Sequence, residues 1–184
     1  SCITPTIREN SLDMVYKCLQ RQDFKDYEWI VVSPYRYDQC DIWVEEPKKK
    51  EGNHYGLNAA WNAGIKRASG ELVVSIVDLL WFPPNILDDL WAHYQLDSMS
   101  CVGGVGNQYE KVENGKPEGL VWNDPRRKEE QFYQVSPNEY ELCLSSLPLK
   151  GVYDVGGFDE EFDKYAAMSE KELCFRMEKL EYTF

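Results

Sequence analysis

The sequence predicts an α/β layered domain in which a mostly parallel central sheet is flanked by helices, and three observations carry that reading. Apolar runs suited to strands alternate with segments of helical periodicity along most of the chain. One run, Leu72-Val73-Val74-Ser75-Ile76-Val77-Asp78, lacks the polar alternation of a half-exposed strand, as expected of a parallel strand covered on both faces. A length of 184 residues supports one substantial core and is short for two, so a single domain is expected.

The elements follow in order. Cys2-Ile3-Thr4-Pro5-Thr6 is a short strand cut by Pro5. After polar Arg8-Glu9-Asn10, the residues Leu12, Val15, Tyr16 and Leu19 form one helical stripe, with Asn10 or Ser11 as its expected cap. Tyr27-Glu28-Trp29-Ile30-Val31-Val32-Ser33 is a second strand halted by Pro34, and Asp41-Ile42-Trp43-Val44-Glu45 is a third. The opening therefore reads β-α-β-β.

A polar loop from Glu46 leads to a helix expected over about residues 55–68. Leu57, Ala60, Trp61, Gly64 and Ala68 recur at helical spacing and should face the sheet, while Asn58 and Asn62, one turn apart, share a different face. Asn is a poor interior helix former, so the pair reads either as hydrogen-bonding amides or as solvent-exposed positions. The helix feeds the 72–78 strand, and ligands of open α/β sheets bind beyond the carboxyl ends of such strands, where Asp78 stands.

Pro83-Pro84 suits a helix start, with Ile86, Leu87, Leu90, Trp91 and Tyr94 as its apolar side, and residues 101–105 read as another strand. Residues 106–138 mix Gly, Pro, Asn and charge with aromatics and are expected to form irregular loops and short strands carrying selective contacts. Residues 142–147 read as one more strand and 149–155 as a short element. The paired glycines of Gly156-Gly157-Phe158-Asp159-Glu160 permit a tight turn with positive φ. A last helix over about residues 169–180 places Leu173, Met177 and Leu180 on one stripe, and Ser169-Glu170-Lys171-Glu172 has the form of a capping box.

The formal charge of -12 argues against a general nucleic-acid or anionic-membrane surface. Lys48-Lys49-Lys50 is the one cationic run, read as a solvated loop or a local phosphate contact. Six scattered cysteines lack metal-ligand and Cys-x-x-Cys spacing, so a reducing compartment, the cytoplasm, is expected. No secretory leader and no apolar run of membrane-spanning length is found. The chain opens without Met, almost directly in a strand, and is expected to be a piece of a longer one.

Three blocks in sequence order resemble the inverting glycosyltransferases of family 2, whose fold is the Rossmann-like GT-A type. Ser1-Cys2-Ile3-Thr4-Pro5-Thr6 is similar to that family's opening strand and Pro-Thr turn, and Glu28-Trp29-Ile30-Val31-Val32 to its second strand. Residues 53–71 resemble its Asn-x-x-Gly…Ala-x-Asn-x-Gly…Ala-x-Gly-Glu block. Gly156-Gly157-Phe158-Asp159-Glu160, with the helix ending Glu172-Leu173-Cys174-Phe175-Arg176, resembles its Gly-Gly-Phe-Asp-Glu block and the acidic helix start after it.

The resemblance implies a nucleotide-diphosphate sugar donor, a hydroxyl acceptor and a divalent cation, Mn²⁺ or Mg²⁺. It implies donor contacts at Thr4, Pro5, Thr6, Arg8, Ser33, Tyr35, Asn53, Gly56, Asn58, Asn62 and Asp78. Acceptor contacts are implied at Trp81, Gly157, Phe158 and Asp159. Asp78 would hold the cation, and Glu170, in the position of the family's base, would deprotonate the acceptor. The residues leave alternatives open: Asp78 as a carboxylate satisfying loop amides, Trp81 and Tyr35 as core aromatics, Asn53 as a helix cap, and Asp159 as a turn former.

The chain departs from the family pattern where Ser33-Pro34-Tyr35 replaces paired Asp and Val77-Asp78-Leu79 replaces Asp-x-Asp. The expected function is inverting sugar transfer; the alternative is a binding or scaffolding module that has lost turnover. A nucleotidyltransferase would need a Gly-rich, Lys-containing phosphate loop, which is not found.

Overall fold

A computed structural model describes residues 1–113, 115–126, 133–165 and 169–184. A six-stranded sheet organises the chain. Its strands are β1 (Cys2–Pro5), β2 (Trp29–Ser33), β3 (Ile42–Glu45), β4 (Leu72–Ile76), β5 (Val102–Gly103) and β8 (Leu144–Pro148), in the order β3-β2-β1-β4-β8-β5. β1 pairs in parallel with β2 and β4, and β2 with β3. β8 runs antiparallel to both its neighbours, so five of the six strands share one direction. The mostly parallel sheet is the one the sequence predicts.

The pleat divides the core in two. Ile3, Ile30, Val32 and Val73 point to one face, covered by α2 (Leu57–Ile65), α4 (Leu149–Asp154) and α5 (Ser169–Glu178). Cys2, Trp29, Val31, Leu72, Val74 and Ile76 point to the other, covered by α1 (Asp13–Gln20) and α3 (Ile86–Leu96). Consecutive apolar residues in β2 and β4 are therefore all buried, which explains their lack of alternation. α2 seats deeply because Gly64 has no side chain: a Cβ there would lie 2.7 Å from Ile3 Cγ2 and 3.1 Å from Val32 Cγ2.

Several local expectations are corrected. Within residues 106–138, where irregular loops and short strands are expected, β6 (Gln108–Glu113) pairs with β7 (Lys116–Trp122) in an antiparallel hairpin with a register shift at Gln108/Tyr109. The 101–105 strand shrinks to two residues. Leu57 is half exposed because α2 turns its first residue away from the sheet. Neither Asn10 nor Ser11 caps α1; the Ser11 hydroxyl bonds back to the Arg8 carbonyl at 3.0 Å. The capping box of α5 does not form, since Glu172 turns forward to Arg176 with two contacts of 2.6 Å, and Leu180 lies beyond the helix and is exposed.

Candidate active site at the carboxyl edge of the sheet

The strand order reverses between β1 and β4: the chain leaves β1 toward β2 on one side, and β4 is added on the other. The loops after two such strands part, leaving a crevice at their carboxyl ends. Thr6 and Arg8 follow β1 and Asp78 follows β4, and the three meet there. Thr6 Oγ1 donates to Asp78 Oδ2 at 2.6 Å, and Arg8 Nη1 donates to Asp78 Oδ1 at 2.5 Å. The Asp78 side chain is 10% exposed and that of Arg8 63%, so the carboxylate forms an inner layer and the guanidinium an outer one.

The β1 loop is itself tied down. Thr6 Oγ1 accepts from the Arg8 amide at 3.1 Å and shares a hydrogen bond with Ser11 Oγ at 3.2 Å. Leu79, directly after Asp78, adopts φ of 62°, a left-handed conformation that costs a non-glycine residue of order 1 kcal/mol. Its side chain is 64% exposed and buries nothing in return. The bend instead aims the chain away once Asp78 has been presented. Leu79 is marked by no pattern in the sequence, and Ser11 only as a candidate cap of α1.

Glu170 stands on a separate element, α5. Val77 donates its amide to the Cys143 carbonyl at 3.1 Å, and the Cys143 thiol is pushed up by burial and by the charges of Glu141 and Glu170. Cys143 thus lies between the strand end that carries Asp78 and the first turn of α5, where Glu170 acts on its thiol through charge. Glu170 sits half-buried in the first turn of α5.

The other positions expected on the donor side divide. Tyr35 is half exposed, and its carbonyl accepts from Ser33 Oγ and, at 2.9 Å, from Trp43 Nε1. Ser33 is buried at the end of β2, Pro5 half-buried at the end of β1, and Asn53 half-buried in the loop before α2. Gly56, not Asn53, is the residue that precedes the first turn of α2, and neither supplies a side-chain cap. The side chains of Thr4 and Asn58 are buried and bonded inside the fold. Thr4 Oγ1 accepts from Trp29 Nε1 at 3.0 Å. Asn58 bonds Asp163, whose carboxylate accepts from the amides of Asn58 and Ala59 at 2.9 and 3.2 Å and from Asn58 Nδ2 at 3.0 Å. Asp163 is the missing cap of α2, supplied from 105 residues away.

The glycine turn and the residues after it, expected on the acceptor side, are held by Asn62. Its Oδ1 accepts from the Phe158 amide at 2.9 Å, and its Nδ2 donates to the Phe158 carbonyl at 2.9 Å and to Glu160 Oε1 at 3.1 Å. Gly156 and Gly157 have φ of 85° and 79°, as the paired glycines predict, and a Cβ on Gly157 would lie 2.7 Å from Asn62 Oδ1. The Phe158 ring is buried and stacks on Trp61 at 5.9 Å between centroids. Asp159 accepts from the Glu161 amide at 2.9 Å, the turn-forming alternative. Trp81 donates its indole N–H to the Gly115 carbonyl at 2.9 Å, which pins the β6–β7 hairpin.

Arg176 reaches the carbonyls of Val155 and Gly157, the latter at 2.8 Å, and so holds the glycine turn from α5. Lys50 pairs with Glu160 at 2.7 Å; this contact and the Asn62 amide hold the Glu160 carboxyl below the usual range. A cavity of about 690 Å³ is bordered by Asn62, Gly157, Asp159 and Glu172.

A divalent cation does not fit this arrangement. Among the described residues no group of three or more His, Cys, Asp or Glu side chains could hold a metal ion. Both oxygens of Asp78 are engaged, one of them by a positive charge, and a cation sharing that carboxylate would face the guanidinium directly.

No family model matches the chain, and no curated protein matches it. Solved structures do. A mannosyltransferase, PcManGT from Pyrobaculum calidifontis in complex with GDP-Man and Mn²⁺, superposes with a TM-score of 0.64 at 16% identity over 99% of this chain and 52% of that one. S. aureus TarS (1-349) with UDP gives 0.66 at 16% identity, covering 96% and 54%. The same protein with UDP-GlcNAc gives 0.60 at 14%, covering 96% and 52%. The chain thus spans about half the length of these matched chains. It has the mixed α/β fold of these glycosyltransferases, with the mostly parallel sheet and flanking helices described above.

Proposed function

We propose that this chain transfers a sugar from a nucleoside-diphosphate donor to an acceptor hydroxyl with inversion at the anomeric carbon. The observation that carries the proposal is the meeting of Thr6, Arg8 and Asp78 in the crevice where the strand order reverses. The donors named for the matched structures, GDP-Man and UDP-GlcNAc, support a nucleotide sugar as the ligand class.

In this reading the donor's diphosphate lies against Arg8, with Pro5, Ser33, Tyr35, Asn53 and Gly56 around the nucleoside. Glu170 takes the proton of the acceptor hydroxyl, and the oxygen attacks the anomeric carbon. The bond from that carbon to the phosphate oxygen breaks, and its electron pair leaves with the nucleoside diphosphate. Fixed donors aimed at the leaving group stabilise the charge as it develops. Gly157, Asp159 and Trp81 border the acceptor side, where Asn62 and Arg176 keep the glycine turn in place. No step is assigned to a metal ion. Six free cysteines, four of them buried, support a reducing compartment, which we propose is the cytoplasm.

The test is release of nucleoside diphosphate from UDP-, GDP- and dTDP-sugars with a panel of hydroxyl acceptors, comparing the unaltered chain with Glu170→Gln. The substitution should lower acceptor-dependent turnover by roughly 10²–10⁴-fold while donor binding is kept. Full turnover in Glu170→Gln would remove Glu170 as base. Nucleotide binding without turnover on any acceptor would favour the scaffolding alternative.

A further inference from the structure

We infer that Arg8, held by Asp78, supplies the positive charge that a divalent cation would otherwise bring to the donor's diphosphate, so that donor binding by this chain is independent of added metal. The inference rests on the donor site proposed above and assigns its electrostatic component to a residue of the chain itself.

Four observations support it. Asp78 is the single carboxylate at this strand end, between Val77 and Leu79. Both its oxygens are used, Oδ2 by Thr6 at 2.6 Å and Oδ1 by Arg8 at 2.5 Å. Arg8 forms the outer layer of the pair, so an anion entering from solvent meets the guanidinium before the carboxylate. Arg8 is also anchored at its backbone: its amide donates to Thr6 Oγ1 at 3.1 Å and its carbonyl accepts from Ser11 Oγ at 3.0 Å.

The chemistry follows from the donor count. A guanidinium carries five N–H groups in a planar fork suited to phosphate oxygens, and the contact to Asp78 is made through one nitrogen. The Arg8 side chain is 63% exposed, which leaves its other donors room to meet a ligand from solvent. When the bond between the anomeric carbon and the phosphate breaks, the departing diphosphate gains negative charge, and Arg8 stands ready to pair with it without moving a proton. Asp78 then acts as a positioning residue that orients the guanidinium, not as a metal ligand.

The test is calorimetric titration with UDP, GDP and dTDP in EDTA and in Mn²⁺. Four proteins are compared: the unaltered chain, Arg8→Ala, Arg8→Lys and Asp78→Asn. The unaltered chain should bind one nucleotide with Kd changed less than about twofold by Mn²⁺. Arg8→Ala should bind at least about tenfold more weakly in EDTA, and Mn²⁺ should recover much of the loss because Asp78 is then free to coordinate. Arg8→Lys should fall between, keeping the charge without the fork. Asp78→Asn should still bind in EDTA. Binding by the unaltered chain that requires Mn²⁺, with Arg8→Ala neutral and Asp78→Asn inactive, would overturn the inference while leaving the donor site in place. Failure of all four proteins to bind any of the nucleotides would overturn the donor site itself.

Discussion

Asn58 and Asn62 show how a residue-level signal is legible while its use is not. Two amides one turn apart in a helix interior are unusual enough in sequence to ask for hydrogen-bond partners. Those partners are Asp163 and the Phe158 backbone, about a hundred positions away, and nothing local announces them. Asp163→Ala would leave two buried or half-buried amides at the start of α2, and Asn58 Nδ2, unpaired. It should lower stability by about 2–3 kcal/mol in urea unfolding, whereas Asp163→Asn, which keeps an acceptor oxygen, should recover much of the loss. Gly157→Ala should be equally informative. A φ of 79° and a Cβ 2.7 Å from Asn62 Oδ1 make both conformation and space unfavourable, so a loss of roughly 1–3 kcal/mol is expected.

At the scale of elements, the helical stripe Ala60, Trp61 and Gly64 is legible and faces the sheet, because a 3.6-residue period has one apolar solution. The closeness of that contact depends on Gly64. Gly64→Ala must displace α2 from Ile3 and Val32, and a fall in stability of about 1–3 kcal/mol by thermal unfolding is the expected reading. For the β6–β7 hairpin, short strands are expected in this region but their length and pairing are not legible in the same way. Its strands leave Leu120, Val121 and Trp122 exposed, so burial imposes no alternation for a sequence reader to find. What anchors its turn is Gly115, whose carbonyl accepts from Trp81 and, more loosely at 3.4 Å, from Arg21. Trp81→Phe should therefore speed amide exchange across residues 108–122 while leaving exchange in β1 and β4 unchanged.

For the whole molecule, ion pairs stitch distant segments into one unit and make its stability depend on pH. The Arg126 guanidinium holds Asp124 below the usual carboxylate range while also bonding Glu141 at 2.9 Å, which ties the end of the hairpin segment to the approach of β8. Lys50 does the same for Glu160. Carboxylates with depressed values favour the folded state at pH above their ordinary range, and that contribution is lost as pH falls through the folded values. Thermal stability followed by tryptophan fluorescence should be flat near neutrality and fall below about pH 4. Arg126→Ala should be less stable at pH 7 and show a shallower acid decline; an unchanged decline would assign the effect to other carboxylates.

Local pattern is enough for the layered α/β class, for most of the order of strands and helices and for the positive-φ glycine turn. Each of these follows from periodicity, residue conformation or strand burial, which are local properties. Only the tertiary structure decided that Arg8 and Thr6 close over Asp78, that Asp163 caps α2, and that Thr4 and Phe158 belong to the core. Those outcomes depend on which loops the β3-β2-β1-β4 order brings together, and hydrogen-bond partners separated by 70 to 105 residues leave no trace in local pattern.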